Sequence, residues 1–375
     1  MGVLRVRITA DPPNLIRLAP AIGSPMKSLL ISIVALVAPL AACSVVGEQS
    51  DEPDQSGSGG TVVLVTHESF KLSQRVERQF EDESGYDLQT RAAGDAGTLT
   101  TKLVLTKDNP TGDAAFGIDN TFASRAVDEG VFADLDVELP AGAEKYALDG
   151  DEADVLAPID NGNVCVNVDK TWFASHDLQP PTSFEDLTDP AYRGLFVTPS
   201  ALSSSPGLAF LLATIARYGD QWPDYWERLM ANDTLVVDGW EDAYFGDFTQ
   251  GSEKGTRPIV LSYDSSPAYT LADDGSSTTS ALLDTCFRQV EYAGVLEGAD
   301  NPDGARALIK FLLSDSVQRE LPESMFVFPV VDGVTLPPAW EKHAQQPISP
   351  YRLDPAEIAT NREAWLEKWR DIVTR

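Results

Sequence analysis

Strand and helix signals alternate along the chain, and this alternation limits the fold to one built on a mostly parallel sheet covered by helices. Short apolar runs predict strands at residues 62–66, 86–92 and 114–118, and helical apolar periodicity follows each of them, at residues 72–85, 99–104 and 120–129. The alternation breaks near Asn163 and restarts with strands at residues 195–198, 234–237 and 258–262 and helices at residues 208–218 and 240–248. The sequence therefore predicts two α/β lobes.

The remaining segments are too few for a third lobe and are expected to complete the first. They are a strand at residues 287–295, a helix at residues 305–313 and a strand at residues 325–330. The chain would then cross between the lobes twice, near residues 158–166 and near residues 286–295, and the crossings would act as a hinge. Lobe 1 is predicted to comprise residues 61–160 and 287–375, and lobe 2 residues 161–286.

The amino-terminal segment has the pattern of a signal peptide. An apolar run at residues 29–42 follows Lys27 and is too short to span a bilayer. The run ends in Leu40-Ala41-Ala42-Cys43, which resembles a bacterial lipobox with Cys43 as the lipidated residue; an ordinary secretory signal with a chance cysteine is the alternative. Residues 1–43 are interpreted as a leader and the polar residues 44–60 as a flexible tether. We expect a lipid-anchored protein at the extracytoplasmic face of the cell membrane.

The charge of the chain argues against nucleic acid as a partner. The formal net charge is −30, whereas phosphate backbones are bound by clustered lysine and arginine. An acidic surface keeps a protein soluble, and its field also mildly favours a cationic ligand.

Two cysteines remain after Cys43, and in an oxidising compartment an even number suggests a disulfide. Cys165 and Cys286 each lie at a predicted crossing, and two crossings must run side by side. We therefore predict a Cys165–Cys286 bond, with two buried free thiols as the alternative.

Catalytic motifs are missing from the sequence. It contains no GxxxxGK phosphate loop, no GxGxxG after a strand, no CxxC and no HExxH. The chain has three histidines, too few to favour imidazole catalysis or a metal site with several histidine ligands. A serine hydrolase using Ser204 and His67 remains an alternative, although no nucleophile-elbow motif surrounds any serine. We expect a binding protein with neither enzymatic activity nor a metal site.

Polar and aromatic residues gather where the predicted strands end, which is where ligands of parallel α/β sheets bind. Aromatic rings there can hold a flat or cationic ligand, and the helix start at residues 203–207 offers free N–H groups and hydroxyls. Core aromatics and an ordinary helix cap are the alternatives. The candidate ligand-binding residues are His67, Glu68, Asp119, Asn120, Ser203, Ser204, Gly207, Trp240, Tyr263 and Tyr269.

Several of these residues stand in motifs that resemble the thiamine-binding proteins of bacterial ABC importers. The motifs are Val65-Thr66-His67-Glu68-Ser69-Phe70, Gly117-Ile118-Asp119-Asn120, Ser203-Ser204-Ser205-Pro206-Gly207-Leu208, Asp238-Gly239-Trp240-Glu241-Asp242-Ala243-Tyr244, Leu261-Ser262-Tyr263 and Pro267-Ala268-Tyr269. The resemblance implies a two-lobed, periplasmic-binding-protein-like (type II) α/β fold with the ligand in the interlobe cleft. It also implies a monomer that serves the permease and ATPase subunits of an importer.

The resemblance further implies a role for each matching residue. Trp240, Tyr263 and Tyr269 would contact the thiamine rings, Ser204 the hydroxyethyl or phosphate end, and Asp119 a polar or cationic group. His67 stands where the family commonly has tyrosine, and Glu68 replaces an aspartate, so the contact made by the first strand is open.

Thiamine, or a thiamine phosphate, suits this set of residues, and no cofactor is expected beside it. Its thiazolium ring is a permanent cation, its pyrimidine ring is flat, and its alcohol or phosphate tail suits a helix amino terminus. The same fold could carry a ferric ion, which calls for adjacent tyrosines, or a polyamine, which calls for several carboxylates between aromatic walls.

Overall fold

A computed structural model describes residues 59–375, which form ten strands and twelve α-helices together with short 3-10 turns. The strands are β1 (Thr61–Thr66), β2 (Asp87–Ala92), β3 (Ala114–Asp119), β4 (Ala157–Asp169), β5 (Phe196–Pro199), β6 (Leu235–Val237), β7 (Ile259–Tyr263), β8 (Thr279–Ala281), β9 (Phe287–Val295) and β10 (Phe328–Pro329). The helices are α1 (Gln74–Ser84), α2 (Ala96–Leu105), α3 (Ala123–Asp128), α4 (Asp151–Val155), α5 (Lys170–Ser175), α6 (Ser205–Tyr218), α7 (Trp222–Ala231), α8 (Pro302–Leu312), α9 (Asp315–Gln318), α10 (Leu321–Ser324), α11 (Pro338–His343) and α12 (Pro355–Val373).

All ten strands belong to one mixed sheet whose main order is β2-β1-β3-β9-β4-β7-β5-β6. The outer strands pair in parallel, β1 with β2 and β3 on one side and β5 with β6 and β7 on the other. The two long central strands pair with each other in antiparallel fashion. β4 continues from that pairing to β7, and β9 continues to β3, so both strands run from one lobe into the other. The predicted two-lobed type II fold, with two crossings, is confirmed.

Helix α1 illustrates how local sequence sets the lobe 1 elements. The Ser73 hydroxyl accepts a hydrogen bond from the Val76 N–H and caps the helix, and Val76 and Phe80 point into the core. Gly85 ends the helix in the left-handed conformation, with φ of 75°, and its N–H donates to the Glu81 carbonyl. The observed bounds differ from the predicted ones by two residues at the start and one at the end.

The two crossing strands are joined covalently by a disulfide between Cys165 and Cys286, the pair predicted from the sequence. Val164 on β4 pairs with Phe287 on β9, so the two cysteines stand at the next position along the two strands. The bond therefore lies at the lobe 2 end of the hinge.

The carboxyl-terminal helix corrects the predicted domain boundaries. α12 packs on α7 of lobe 2, where the rings of Trp226 and Trp369 meet edge to face with centroids 5.5 Å apart. Its Arg362 guanidinium also lies over the Phe122 ring of lobe 1, at 5.5 Å. The assignment of all residues 287–375 to lobe 1 is therefore wrong, because α12 buries its apolar face on the second lobe.

Two smaller predictions also differ from the structure. The strand expected at residues 325–330 is reduced to Phe328–Pro329, because Phe326 has a φ of 61° and this left-handed backbone interrupts an extended segment. The helix expected at residues 240–248 is a π-helical turn, Asp242–Asp247.

The predictions for the leader, for Cys43 and for most of the tether fall outside the described residues. Within residues 59–375, no helix is both long and apolar enough to cross a membrane.

Candidate functional site

A narrow cleft with about 40 Å³ of space for solvent lies between the lobes. Its walls come from the ends of β1 and β7, the middle of β9, the starts of α2 and α6, and the segment around Phe326. The lining residues are His67, Ser69, Asp95, Ala96, Ser205, Pro206, Trp240, Tyr263, Glu291, Met325, Phe326 and Val327.

Two aromatic residues predicted from the sequence form one wall of the cleft. Trp240 is 8% exposed and donates from Nε1 to the Ser262 hydroxyl at 3.0 Å, which fixes the plane of the indole. The Tyr263 ring stands edge to face with it, with centroids 6.1 Å apart. Tyr263 also lies against β4, where Gly162 leaves room for the ring. The two rings offer a rigid face to a flat or cationic ligand.

His67 follows β1, and its ring packs against the bulge of β3. Gly117 has a φ of 97°, and a Cβ at this position would collide with the imidazole. The Nδ1 atom accepts a hydrogen bond from the Ser69 N–H at 3.2 Å, and the Nε2 atom lies 3.5 Å from the Glu291 carboxylate. Burial alone would lower the pKa of His67, but Glu291, with smaller contributions from Asp95 and Glu68, raises it above its ordinary value.

Two buried carboxyl groups face each other on the crossing strands behind His67. Asp160 on β4 pairs directly with Glu291 on β9, and both side chains are buried. Burial, and then the adjacent Glu291 charge, raises the pKa of Asp160 well above its ordinary value. Two buried carboxyl groups in contact cannot both ionise at low cost, so burial and the nearby charge favour the protonated form of Asp160. Of the two, Glu291 is the carboxyl group that lines the cleft.

Asp95, the N-cap of α2, is a cleft residue that the sequence reasoning missed. Its carboxylate accepts from the backbone N–H of Trp240 at 3.0 Å and of Ser205 at 3.3 Å, both in lobe 2, so it connects the lobes. Its sequence context, Gly94-Asp95-Ala96-Gly97, carries a turn-and-cap signal that could have identified it. Further contacts join the lobes beside it, because the Ser203 carbonyl accepts from the N–H groups of Gly97 and Thr98 at 3.0 and 3.2 Å.

The rim of the cleft is acidic. Glu68 is exposed there, and burial together with the charges of Asp95, Glu241 and Asp242 raises its pKa. Glu241 accepts a hydrogen bond from the Ser69 hydroxyl at 3.1 Å across the cleft. A concentration of negative charge at the entrance raises the local concentration of cationic ligands.

The structure does not support Asp119 as a ligand contact. Its carboxylate is fully buried and accepts from the Thr121 N–H and hydroxyl, the Phe122 N–H and the Ser205 hydroxyl. Burial raises its pKa to about 6, although these donors oppose the rise. The Asp119 carboxylate thus holds the turn after β3 and accepts its hydrogen bonds from the protein.

Asn120 is likewise committed to the protein. Its amide donates to the Arg288 carbonyl at 3.3 Å and accepts from the Val290 N–H at 2.8 Å. The structure therefore places Asn120 outside the cleft, because its side chain faces β9 and lines a different cavity.

The helix start at residues 203–207 does reach the cleft, but the residues that line the cleft are not the predicted ones, Ser203, Ser204 and Gly207. Ser205 and Pro206 line the cleft, whereas Ser203 donates its hydroxyl to the Asp238 carbonyl at 2.6 Å. Ser204 is fully buried as the N-cap of α6. A Cβ on Gly207 would collide with the backbone of Ser200, so this glycine permits close packing of the helix.

Tyr269 does not line the cleft. Its side chain is 52% exposed, and its ring packs edge to face on Phe326 with centroids 4.0 Å apart. Tyr263 and Tyr269 therefore do not act as a pair in the cleft. In the described part of the chain, no group of three or more His, Cys, Asp or Glu side chains is placed to hold a metal ion.

Comparison with known proteins identifies the family to which a chain with this fold and cleft belongs. Residues 77–348 match the family of bacterial extracellular solute-binding proteins, and the chain belongs to that family. Membership makes it a binding protein rather than an enzyme, located outside the cytoplasm, with a small-molecule ligand and an ABC transporter as partner.

Individual relatives within the family have names that specify a ligand. The thiamine-binding periplasmic protein of Escherichia coli (strain K12) is 30% identical over 304 residues, which cover 80% of this chain and 88% of the relative. The solved structure of a periplasmic thiamin binding protein is similar with a TM-score of 0.74 and 28% identity, covering 84% of this chain and 96% of that one. Iron-bound HitA from Pseudomonas aeruginosa, with a TM-score of 0.64 and 19% identity over 83% of this chain and 99% of its own, shares the fold.

Proposed function

We propose that the protein captures thiamine in the interlobe cleft and delivers it to an ABC importer. The observation that carries the proposal is the combination of the Trp240 and Tyr263 rings with the Asp95 and Glu291 carboxylates in one cleft. Thiamine carries a permanently cationic thiazolium ring and a flat pyrimidine ring, and this cleft offers aromatic faces and negative charge to both. Relatives at 28–30% identity that carry the name thiamine-binding periplasmic protein support it.

Capture depends on closure of the lobes around the ligand. His67, Asp95 and Glu291 belong to lobe 1 and the hinge, whereas Ser205, Trp240 and Tyr263 belong to lobe 2. Neither lobe alone can surround a ligand, so the cation–π and hydrogen-bond contacts reach full strength in the closed state. The importer can then recognise the closed form.

The cellular setting completes the proposal. Cys43 anchors the protein by lipid at the extracytoplasmic face, and residues 44–60 let the binding domain move as a monomer above the membrane. Binding requires no cofactor. Both thiamine and its phosphates are candidate cargo, because Ser205 and Pro206 place the start of α6 at the cleft, where the positive end of the helix dipole and the Ser205 side chain favour a hydroxyl or phosphate tail.

A polyamine is the rival ligand that the site itself favours, since Asp95 and Glu291 provide two carboxylates beside the aromatic wall. Ferric ion is less well suited, because Tyr269 does not line the cleft and Tyr263 therefore has no second tyrosine beside it there.

Titration calorimetry with thiamine, thiamine monophosphate, thiamine diphosphate, spermidine and ferric citrate tests the proposal. We expect saturable one-to-one binding of thiamine or one of its phosphates, at least about a hundredfold tighter than spermidine, or about 2.7 kcal/mol. Tighter binding of spermidine or ferric citrate than of every thiamine compound would overturn it.

A further inference from the structure

A second, open cavity of about 390 Å³ lies on the other face of β9 from the ligand cleft. Successive side chains of a strand point to opposite faces. Glu291 lines the ligand cleft, whereas its neighbours Val290 and Tyr292 line the second cavity, as does Arg288. We call this second space the basic cavity; its lining residues are Asn120, Lys145, Tyr146, Ala147, Phe287, Arg288, Val290, Tyr292, Arg352, Leu353 and Pro355.

The charge of the basic cavity is opposite to that of the chain. The chain has a formal net charge of −30, yet three lining residues are cationic and none is acidic. Lys145 pairs with Asp332 at 2.7 Å. Within residues 59–375, neither Arg288 nor Arg352 has a carboxylate at ion-pair distance. Two guanidinium groups without counter-ions therefore share one cavity.

Arg288 is held in place with hydrogen-bonding capacity to spare. Its Nη1 donates to the Asn161 side chain at 3.2 Å, while its buried Nε has no acceptor in the described part of the chain. Burial lowers the pKa of Arg288, and the positive charge of Arg352 adds to this effect, although Tyr146 and Asp264 partly oppose it, so the guanidinium keeps a net electrostatic cost. An anion between the two arginines would remove that cost.

The walls restrict the class of anion. Two unpaired guanidiniums match a doubly charged oxyanion in charge, and their planar forks match phosphate oxygens in geometry. Tyr146, Phe287 and Tyr292 add aromatic surface beside the arginines, and the Tyr292 hydroxyl is already used by the Tyr146 carbonyl at 3.0 Å. A phosphate group, alone or on a small ring-bearing ester, fits this combination.

We propose that the basic cavity is a phosphate-binding site, in which Arg288 and Arg352 hold a phosphate group on the side of the hinge opposite the ligand cleft. Arg288 stands on the crossing strand, and Arg352 on the segment that leads into α12. The site is separate from thiamine capture, because none of its lining residues lines the cleft.

Calorimetry on the purified full chain tests the site, with inorganic phosphate and phenyl phosphate as probes. Arg352→Gln should weaken binding of both probes by about tenfold or more, since a hydrogen-bonded charge is lost. The Arg352 side chain is exposed, so this variant should fold normally. Arg288→Gln should have a similar effect, and Arg352→Lys, which keeps the charge without the fork, a smaller one.

Arg78→Gln is the matched control, because Arg78 is an exposed arginine on α1. It should bind both probes like the wild type, and Arg352→Gln should retain wild-type thiamine affinity. Tighter binding of phenyl phosphate would identify an ester as the ligand, and equal binding a free phosphate group. If the wild type binds neither probe at about 10 mM, where the free energy of binding would be weaker than about −3 kcal/mol, the proposal is wrong. Wild-type affinity for both probes in Arg352→Gln would overturn it as well.

Discussion

The carboxylate of Asp95, at the start of α2 in lobe 1, accepts a hydrogen bond at 3.0 Å from the backbone N–H of Trp240, the aromatic residue that forms the lobe 2 wall of the cleft. The same side chain therefore faces the ligand space and holds the lobes together. An interaction across the cleft that exists only in the closed state favours closure, and ligand binding and closure become linked.

Asp95→Asn should weaken thiamine binding by about tenfold to a hundredfold, because it removes a negative charge near the cation and an acceptor of two interlobe hydrogen bonds. Asp108→Asn is the matched control, since Asp108 is an exposed acid beyond the other end of α2. Calorimetry at low and high salt checks this, and the loss in Asp95→Asn should be larger at low salt. Equal affinities in the two variants would mean that Asp95 has no part in recognition.

Asp119→Asn should act mainly on stability. Its carboxylate is buried and accepts hydrogen bonds from Thr121, Phe122 and Ser205, so an amide in its place leaves some of these donors unpaired. We expect a loss of about 1–3 kcal/mol in the free energy of unfolding by urea; because the Ser205 bond also joins the lobes, thiamine affinity should fall as well, but by less than in Asp95→Asn. A large loss of affinity in a fully folded variant would restore Asp119 to the site.

Two tyrosines six positions apart should behave differently. Tyr263→Ala should weaken thiamine binding by about 2 kcal/mol or more, because the ring lines the cleft beside Trp240. Tyr269→Ala removes an exposed ring of the same size outside the cleft and should change the affinity by less than about 0.5 kcal/mol. Fluorescence titration of both variants decides the matter, and a reversed order would contradict the geometry of the site.

Thiamine affinity should rise with pH through the pKa of His67, which Glu291 holds above the ordinary histidine value against the effect of burial. Protonated His67 places a positive charge at the cleft and repels the cation, and deprotonation removes that charge. Deprotonation of Asp160, whose pKa is also raised, acts in the same direction. His67→Gln should flatten the profile between about pH 6 and about pH 8. His176→Gln changes an exposed histidine and serves as the control. An unchanged slope in His67→Gln would exclude His67 as the titrating group.

The disulfide should stabilise the fold substantially, because it closes a loop between residues 121 positions apart. Replacing Cys165 and Cys286 together by serine should lower the free energy of unfolding by about 2–4 kcal/mol. Urea denaturation with and without reductant measures the effect. Recovery of two free thiols from the denatured, unreduced protein would show that the bond does not form.

The sequence predicted the strands well, because a buried strand appears in the sequence as a short apolar run. The strands of both lobes and the crossings were predicted within one to three residues at most ends, because buried strands give short apolar runs between turn signals. α12 was not predicted, although Ile358, Trp365, Trp369 and Ile372 recur at helical spacing after Pro355. Which lobe a terminal helix packs on is a tertiary property that its own periodicity does not contain.

The ligand site was predicted only in part, because contacts between distant residues decide which strand-end side chains face the cleft. Trp240, Tyr263 and His67 were found because they follow strands, yet the same rule selected Asp119 over Asp95. A strand-end aspartate can face a ligand or cap the next helix, and only the positions of Thr121 and Ser205 decide between the two. The left-handed backbone at Phe326 likewise has no signal in a sequence of apolar residues.

The most direct test of the account is mass spectrometry of the small molecule released on denaturing the natively purified protein. A protein whose closed cleft pairs Trp240 and Tyr263 with Asp95 and Glu291 should carry thiamine or a thiamine phosphate, close to one per chain, and the Trp240→Ala variant should carry much less. Release of a polyamine or another solute in that amount, with no thiamine compound, would contradict the central claim.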